Sequence, residues 1–206
     1  MNKHFLDKII RLKALADIGL LYAGNNYDKE RYAELQEISF ELLSTISNHP
    51  IESLKAHFPL LSDYPTAKVD IRGVLLSADK KILLVKESTD GNWSLPGGWA
   101  DVGFSPKETV VKEFKEETGL DISVQRLLAV MDTKMHAHPP QPFYVYKMIF
   151  LCKAISNKIN KGFDVLDVQF FDINNLPPLS EERILKTQIE LLYNKITLAD
   201  FDVYVD

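Results

Sequence analysis

The sequence of 206 residues has one cysteine, no excess of positive charge and no long apolar run. A single thiol, Cys152, excludes an internal disulfide and a structural zinc site built from several thiolates. Because it ends the apolar run 148–152, we expect a small buried residue rather than a nucleophile. No run approaches the roughly 20 apolar residues of a membrane span. Charged residues such as Asp7 and Lys8 also interrupt any signal-like segment, so a cytoplasmic protein is expected.

The net charge of -5 gives no general electrostatic attraction for nucleic acid. A small anionic ligand remains compatible with this charge, because a metal ion can supply positive charge locally. Hydrophobic residues make up 46% of the chain and charged residues 26%, which is ordinary for a folded globular protein and argues against disorder.

The first part of the chain has a helical pattern. Apolar residues recur at helical spacing up to Tyr22, and again from Asp28, a suitable N-cap, to Ile46. A short third helix is predicted from residue 51 to residue 57. The segment 58–65 has a proline near each end and is typical of a linker.

The pattern changes after this linker. Alternating apolar residues predict a strand from Lys68 and another from Ile82, with a hairpin-like turn between them. Further strands are predicted over 122–131, 143–153 and 163–172. Strong helical signals cover 106–118 and the stretch from Ser180 to about Lys195. We therefore predict an α+β protein, with a helical N-terminal domain over residues 1–64 and a mixed-sheet domain over residues 65–206.

The segment from Gly97 to Leu120 contains a clearly marked helix. Ser105 is a good N-cap, Pro106 fits the first helical position, and Glu108 completes a capping box. Gly119 suits the left-handed residue at which such a helix ends.

Three glutamates of this helix, Glu113, Glu116 and Glu117, are spaced so that their side chains share one face. Such crowding is unfavourable by a few tenths of a kcal/mol per pair, whereas hard oxygen ligands are those that Mg²⁺ prefers. The glutamates alone would suggest a solvated acidic face. The Gly97-Gly98 turn at a fixed distance before them favours a metal site instead, because glycines let the backbone approach a metal or phosphate closely.

The segment resembles the Nudix box, G-x5-E-x7-R-E-U-x-E-E-x-G-U, in which U is aliphatic. The positions that match are Gly98, Glu113, Glu116, Glu117, Gly119 and Leu120, with Phe114 at the first U. The resemblance implies that Glu116 and Glu117 are the core metal ligands. It also implies that Glu113 assists in metal binding or proton transfer, and that Gly98 offers its carbonyl. The implied cofactor is Mg²⁺, with Mn²⁺ as a substitute, and the implied fold is a Nudix-type α/β/α sandwich.

Two positions depart from the family pattern. Phe104 stands where the first glutamate is expected, and Lys112 stands where the arginine is expected. Lysine keeps the positive charge but lacks the planar fork that holds a carboxylate with two hydrogen bonds. The three helical glutamates are retained, so we expect activity with an altered metal affinity.

The helical domain followed by the sequence from Leu95 to Val102 is similar to bacterial Nudix hydrolases of nucleoside diphosphates linked to a second group, X. The activities of that branch include cleavage of CDP-choline and of ADP-ribose. The resemblance therefore implies hydrolysis of a diphosphate bond, which yields a nucleoside monophosphate and phosphorylated X.

The general base is expected to be Glu113 or an acid from a later loop. Asp164 is the candidate in that loop, and its alternative role is that of an ordinary turn residue. Trp93 is expected in the core. For Trp99 two roles remain open, packing in the core and stacking on a nucleotide base. A loop over 136–142 is expected to line the substrate site. The predicted substrate contacts are Gly97, Trp99, Lys112, His136 and His138.

Two other functions stay open. An RNA-directed Nudix hydrolase or exonuclease would need a basic groove, whereas the lysines here are mixed with acids. An inactive nucleotide-binding regulator is kept open by Phe104 and Lys112. The N-terminal helices are too short to form a strong core alone, so we expect them to pack on the second domain or on a second subunit, giving a homodimer.

Overall fold

The computed structural model describes residues 3–47, 50–58, 64–141 and 143–206. The chain forms two compact units. One comprises Met1–Ala67 together with Pro140–Tyr144, and the other comprises Lys68–Pro139 together with Val145–Asp206. No sequence signal indicated that the short segment 140–144 belongs with the helical residues.

The described helices of the first unit are α1 (Lys3–Tyr22), α2 (Asn26–Ser47) and α3 (Ile51–His57). Helices α1 and α2 pack closely at Gly19, where an added Cβ would lie 2.2 Å from the ring of Tyr32. A polar link also joins them, because Asp17 accepts hydrogen bonds from Lys13 Nζ at 2.7 Å and Gln36 Nε2 at 2.6 Å. The buried core of this unit consists of Leu6, Ile9, Ile10, Phe40, Leu43 and Leu54.

The N-cap expected at Asp28 is wrong. Helix α2 begins two residues earlier, and the side chain of Asn25 accepts the backbone N–H of Asp28 at 2.9 Å. Asparagine is as good an N-cap as aspartate. Asp28 therefore lies in the first turn, where its negative charge interacts favourably with the positive end of the helix dipole.

The second unit contains a five-stranded mixed sheet and a three-stranded antiparallel sheet. Its elements are β1 (Lys68–Leu75), β2 (Ile82–Glu87), β3 (Trp93–Ser94), β4 (Gly97–Trp99), α4 (Pro106–Thr118), β5 (Ile122–Asp132), a 3-10 turn (Thr133–Met135), β6 (Val145–Ala154), β7 (Val165–Phe171), α5 (Lys186–Thr197) and β8 (Tyr204–Val205). The strand orders are β4-β1-β6-β5-β8 and β3-β2-β7. The turn between β1 and β2 therefore leads from one sheet into the other.

Helices cover the sheets through two separate cores. Val110 and Phe114 of α4 pack with Ile71 and Leu83 in one core. An added Cβ at Gly73 would lie 2.4 Å from the Phe114 ring, so this glycine lets α4 approach β1 closely. In the other core, α5 contributes the buried side chains of Ile189 and Leu192. These pack with residues of β1, β2, β5 and β6. The predicted α+β class, with a mixed sheet between helices, is confirmed.

The predicted strands and α4 agree closely with the observed elements, but α5 begins at Lys186 rather than soon after Ser180. Ser180 is buried, and its N–H donates to the carbonyl oxygen of Trp93 at 2.8 Å. This contact holds 180–185 as a turn against β3, so the helix cannot begin earlier. Within the described residues, no helix is both long and apolar enough to cross a membrane.

Candidate active site

The local signals around α4 appear in the structure as the sequence predicts. Ser105 Oγ accepts the N–H of Glu108 at 3.3 Å, and the Glu108 carboxylate accepts the N–H of Ser105 at 2.8 Å. Gly119 has a positive φ of 73° and ends the helix, with its N–H donating to Lys115 O at 3.1 Å. Both ends of the helix that carries the glutamates are thus fixed by short-range contacts.

The glycine turn lies directly against this helix. An added Cβ at Gly97 would lie 2.1 Å from the carbonyl oxygen of Ile71, and the φ of Gly97 is 141°, so only glycine fits there. The N–H of Gly97 donates to Glu117 Oε2 at 2.9 Å. An added Cβ at Gly98 would lie 3.1 Å from the carboxylate of Glu113. Strand β4 and α4 therefore bring two carboxylates to the same short stretch of backbone.

The three glutamates differ in exposure. Glu117 is 5% exposed, the side chain of Glu113 is 14% exposed, and that of Glu116 is 48% exposed. Burial raises the pKa of Glu117 to about 8, against the opposing effects of Arg72 and the Gly97 N–H. Burial also raises the pKa of Glu113, while Lys112 opposes that rise. Burial thus disfavours the charged form of two of the three carboxylates.

Lys112 links the acidic groups at the outer edge of the site. Its Nζ lies 2.9 Å from Glu116, 3.4 Å from Asp101 and 3.6 Å from Glu113. The hydrogen bond with Glu116 is the largest cause that raises the pKa of Lys112, although its side chain remains partly exposed. Lysine therefore ion-pairs with the acids at this edge although it lacks the fork of an arginine.

No group of three His, Cys, Asp or Glu side chains among the described residues already converges as a metal site. Glu117 is held by Gly97 N–H and Glu116 by Lys112. The donor set nevertheless fits a divalent cation, because it combines partly desolvated carboxylates with a glycine backbone and offers only hard oxygen ligands. A nearby cation would favour the charged forms that burial disfavours.

A buried ion cluster beneath the turn was missed by sequence reasoning. Arg72 Nε donates to Asp70 at 2.9 Å, Lys147 Nζ donates to Asp70 at 2.5 Å, and Arg72 Nη1 donates to the carbonyl oxygen of Leu95 at 2.9 Å. Burial alone would raise the pKa of Asp70, but the charges of Arg72 and Lys147 outweigh it and hold that pKa below its usual value. Arg72 thereby connects the charges in β1 and β6 to the residues just before Gly97.

The same cluster extends to the loop after β7. Arg72 Nη1 lies 3.6 Å from Glu87, and Arg183 Nε lies 3.2 Å from the same carboxylate oxygen. Arg183 also donates to Ser180 Oγ and Thr89 Oγ1, each at 3.0 Å. Charged residues inside otherwise apolar strand segments were the available signal, because such residues are rarely buried unless they are paired.

Asp164 lies in the loop that crosses the C-terminal end of α4. The N–H of Gly162 donates to Glu117 O, and the N–H of Asn160 donates to Thr118 O, each at 2.9 Å. An added Cβ at Gly162 would lie 3.0 Å from Asp164 Oδ1 and 2.1 Å from Glu116 O. The structure thus brings the exposed Asp164 to the helix end that carries two of the glutamates.

The two tryptophans have different environments. Trp93 is buried and makes an edge contact with Phe171, with ring centroids 4.6 Å apart, so its predicted place in the core is confirmed. Trp99 is half exposed, and Lys68 Nζ lies 5.3 Å from the centre of its ring.

The two histidines of the loop after β5 also differ. His136 Nε2 lies 3.0 Å from Asp206 Oδ2. His138 is buried, and its Nδ1 lies 2.6 Å from the carbonyl oxygen of Glu181. His138 therefore holds this loop to the segment after β7, and its contact with substrate stays a prediction.

Phe104 is half exposed. It lines an open groove of about 690 Å³, together with Val111, Leu120, Ile122 and Val124. The residue that departs most from the family pattern thus contributes to an apolar groove.

Two family models match the chain. A model described as a UDP-X-like, N-terminal oligomerisation domain matches residues 3–58, and a model described as a NUDIX domain matches residues 67–192.

Named relatives match most of the chain. A Bacillus subtilis protein with the provisional name ADP-ribose pyrophosphatase YjhB is 40% identical over 196 residues, which cover 95% of this chain and 94% of that protein. An ADP-ribose pyrophosphatase of Methanocaldococcus jannaschii is 36% identical over 128 residues, covering 60% of this chain and 72% of that protein. The crystal structure of a UDP-X diphosphatase superposes with a TM-score of 0.64 and 36% identity, with full coverage of both chains.

Proposed function

This chain belongs to the Nudix hydrolase family and is a pyrophosphohydrolase, and we propose that its substrate is a nucleoside diphosphate linked to a second group, X. ADP-ribose is the first candidate, because two relatives carry that substrate in their names, and UDP- and CDP-linked compounds such as CDP-choline follow. The products are a nucleoside monophosphate and phosphorylated X. The observation that carries this proposal is the placement of Glu113 and Glu117 against the Gly97-Gly98 turn.

The proposed cofactor is Mg²⁺, with Mn²⁺ as a substitute, held by Glu113, Glu116, Glu117 and the carbonyl of Gly98. When bound, Mg²⁺ neutralises charge on the phosphate oxygens and lowers the pKa of the attacking water. Glu116 pairs with Lys112 in this structure, and metal binding would replace that contact. The ion pairs of Lys112 then hold the outer edge of the site.

The chain's own residues receive the proton of the attacking water. Glu113 is the proposed acceptor, because its carboxylate is partly desolvated and lies against the backbone of Gly98. Asp164 is the alternative, supported by its place at the end of α4. The proposed substrate contacts are the backbone of Gly97, the half-exposed ring of Trp99, Lys112, His136 and His138.

We further propose that the protein is a homodimer formed through its N-terminal helices. The match of residues 3–58 to a domain described as an oligomerisation domain supports this. Exposed apolar side chains on α1 and α2, which include Phe5, Leu15, Leu35 and Ile38, are suited to such an interface. A molecular mass of one chain by light scattering would contradict it.

The test of the function is a turnover screen of the purified protein with Mg²⁺ against ADP-ribose, a UDP-sugar, CDP-choline and a short RNA. We expect a nucleoside monophosphate from at least one of the first three compounds and no product without metal. The Glu117→Gln variant is the negative control, because it lacks one of the proposed metal ligands. Turnover of the RNA alone would favour an RNA-directed hydrolase, and binding without any turnover would indicate an inactive regulator.

A further inference from the structure

The end of the second unit returns to the loop that follows β5. Strand β8 pairs in parallel with β5, so that Tyr204 lies opposite Ala129 and Val205 opposite Val130. The next residue, Asp206, thereby reaches the point at which β5 ends.

The carboxylate of Asp206 makes three contacts. Its Oδ2 accepts the backbone N–H of Asp132 at 2.7 Å and lies 3.0 Å from Nε2 of His136. Its Oδ1 accepts the hydroxyl of Tyr204 at 2.9 Å. The side chains of Asp206 and His136 are only 9% and 15% exposed. A carboxylate so enclosed, with both oxygens engaged, holds its partners in one arrangement.

We call residues 133–139 the histidine loop. Its start is fixed by Asp132 Oδ1, which accepts the N–H of Lys134 at 2.9 Å, and by Thr133 Oγ1, which donates to Val145 O at 3.2 Å. Further along, His138 contacts Glu181 O. Asp206 thus contacts the ring of His136 from outside the loop.

The sheet register places this loop near the start of the catalytic segment. Trp99 of β4 lies opposite Asp70 of β1, which lies opposite Lys147 of β6, which lies opposite Met131 of β5. At about 4.8 Å per strand, Trp99 and Met131 are roughly 14 Å apart. Strands β4 and β5 run in the same direction, so the chain leaves both at one end of the sheet. A nucleoside diphosphate with its second group is long enough to span that distance.

We propose that Asp206 is a positioning residue for substrate binding, which orients His136 and the histidine loop toward a nucleoside diphosphate-linked substrate. This inference rests on the function proposed above. Loss of the carboxylate removes the acceptor of the Asp132 N–H and one contact of the His136 ring, so the loop samples other arrangements. Because the glutamates of α4 make no contact with Asp206, substrate affinity changes while the chemical step does not.

The test compares steady-state kinetics of Asp206→Ala, Asp206→Asn, His136→Ala and the Asp206→Ala/His136→Ala double variant on the compound that the wild type turns over fastest. Asp202→Ala is the matched control, because it removes an exposed aspartate of the same segment. We expect Asp206→Ala to raise KM about fivefold to tenfold with kcat within about twofold, since the net contribution of one hydrogen bond is of that order. Asp206→Asn keeps an acceptor oxygen and restores part of the affinity.

The double variant distinguishes positioning from a general structural role. If Asp206 acts through His136 and its loop, the rise in KM of the double variant is well below the product of the two single effects, whereas independent effects multiply. Multiplied effects, a fall in kcat at unchanged KM, or wild-type kinetics for Asp206→Ala would each overturn the inference. A wild type that turns over none of the compounds contradicts the proposed function itself, so the two failures are distinguishable. Hydrogen exchange adds a direct readout. The amide hydrogen of Asp132 should exchange faster in Asp206→Ala than in the wild type, and at the wild-type rate in Asp202→Ala.

Discussion

The carboxylate of Glu117 accepts the backbone N–H of Gly97 at 2.9 Å, across 20 residues of sequence. This bond joins the helix of the glutamates to the turn that precedes it, in a region from which water is largely excluded. Glu117 therefore has two functions: it fixes the turn, and it supplies a carboxylate for the proposed metal site. The two functions respond differently to substitution.

Glu117→Gln separates them. The amide oxygen still accepts the Gly97 N–H, and the unfavourable burial of a charge is removed, so we expect the melting temperature to be unchanged or higher. Turnover should fall by about 10²–10³-fold, the size expected when one electrostatic contact to the reacting group is lost. Glu190→Gln, on the exposed face of α5, is the control and should leave both quantities unchanged. Wild-type turnover in Glu117→Gln would rule out the proposed metal site.

Gly97→Ala should destabilise the fold. The added Cβ meets the carbonyl oxygen of Ile71 at 2.1 Å, and the φ of 141° is one that alanine avoids. We expect a loss of at least about 2 kcal/mol in the free energy of unfolding, measured by urea denaturation. Gly24→Ala is the control, because an added Cβ there meets no atom within 4 Å. Equal stability of the two variants would show that the turn can relax.

Arg72→Met tests the buried ion cluster. It leaves the buried carboxylates of Asp70 and Glu87 with fewer positive partners, so we expect a loss of about 3–5 kcal/mol in the free energy of unfolding. Lys186→Met breaks an exposed ion pair on α5 and should change stability by at most about 1 kcal/mol. Similar results for both variants would mean that water reaches the Arg72 cluster freely.

Cys152 should be unreactive in the folded protein. Burial raises the pKa of its thiol to about 12, so at pH 8 only about one thiol in 10⁴ is the reactive thiolate. Because the raised pKa belongs to the folded state, reactivity appears only as pH approaches 12 or as the chain unfolds. A thiol-labelling assay should give no label in native buffer and one label per chain in denaturant. Rapid native labelling would indicate local opening of β6.

The elements that sequence reasoning predicts well are those with short-range signals. Helix α4 is marked at both ends by Ser105 and Gly119, and the alternation from Lys68 defines β1. The glutamate face follows from helical spacing alone. Its relation to the glycine turn follows from the family pattern.

What the sequence does not predict depends on long-range pairing. Arg72 and Lys147 meet at Asp70 only because β1 and β6 are neighbours, a strand order that no local pattern encodes. The late start of α5 depends on the contact of Ser180 with Trp93. Between Asn25 and Asp28, two suitable caps compete, and single-residue preferences do not distinguish them.

The pairing of β1 with β6 also has a consequence for folding. The strand that supports the glycine turn is completed by residues from Val145 onward, and β5 is completed by Tyr204 and Val205. Such non-local pairings must overcome a large loop-closure entropy before they add stability, so folding of this unit is expected to be slow. On the ribosome, the glutamates of α4 emerge after β1 and β4 but before β6, the strand that pairs along the whole of β1. The proposed metal site therefore gains the support of the paired sheet only after β6 has been synthesised.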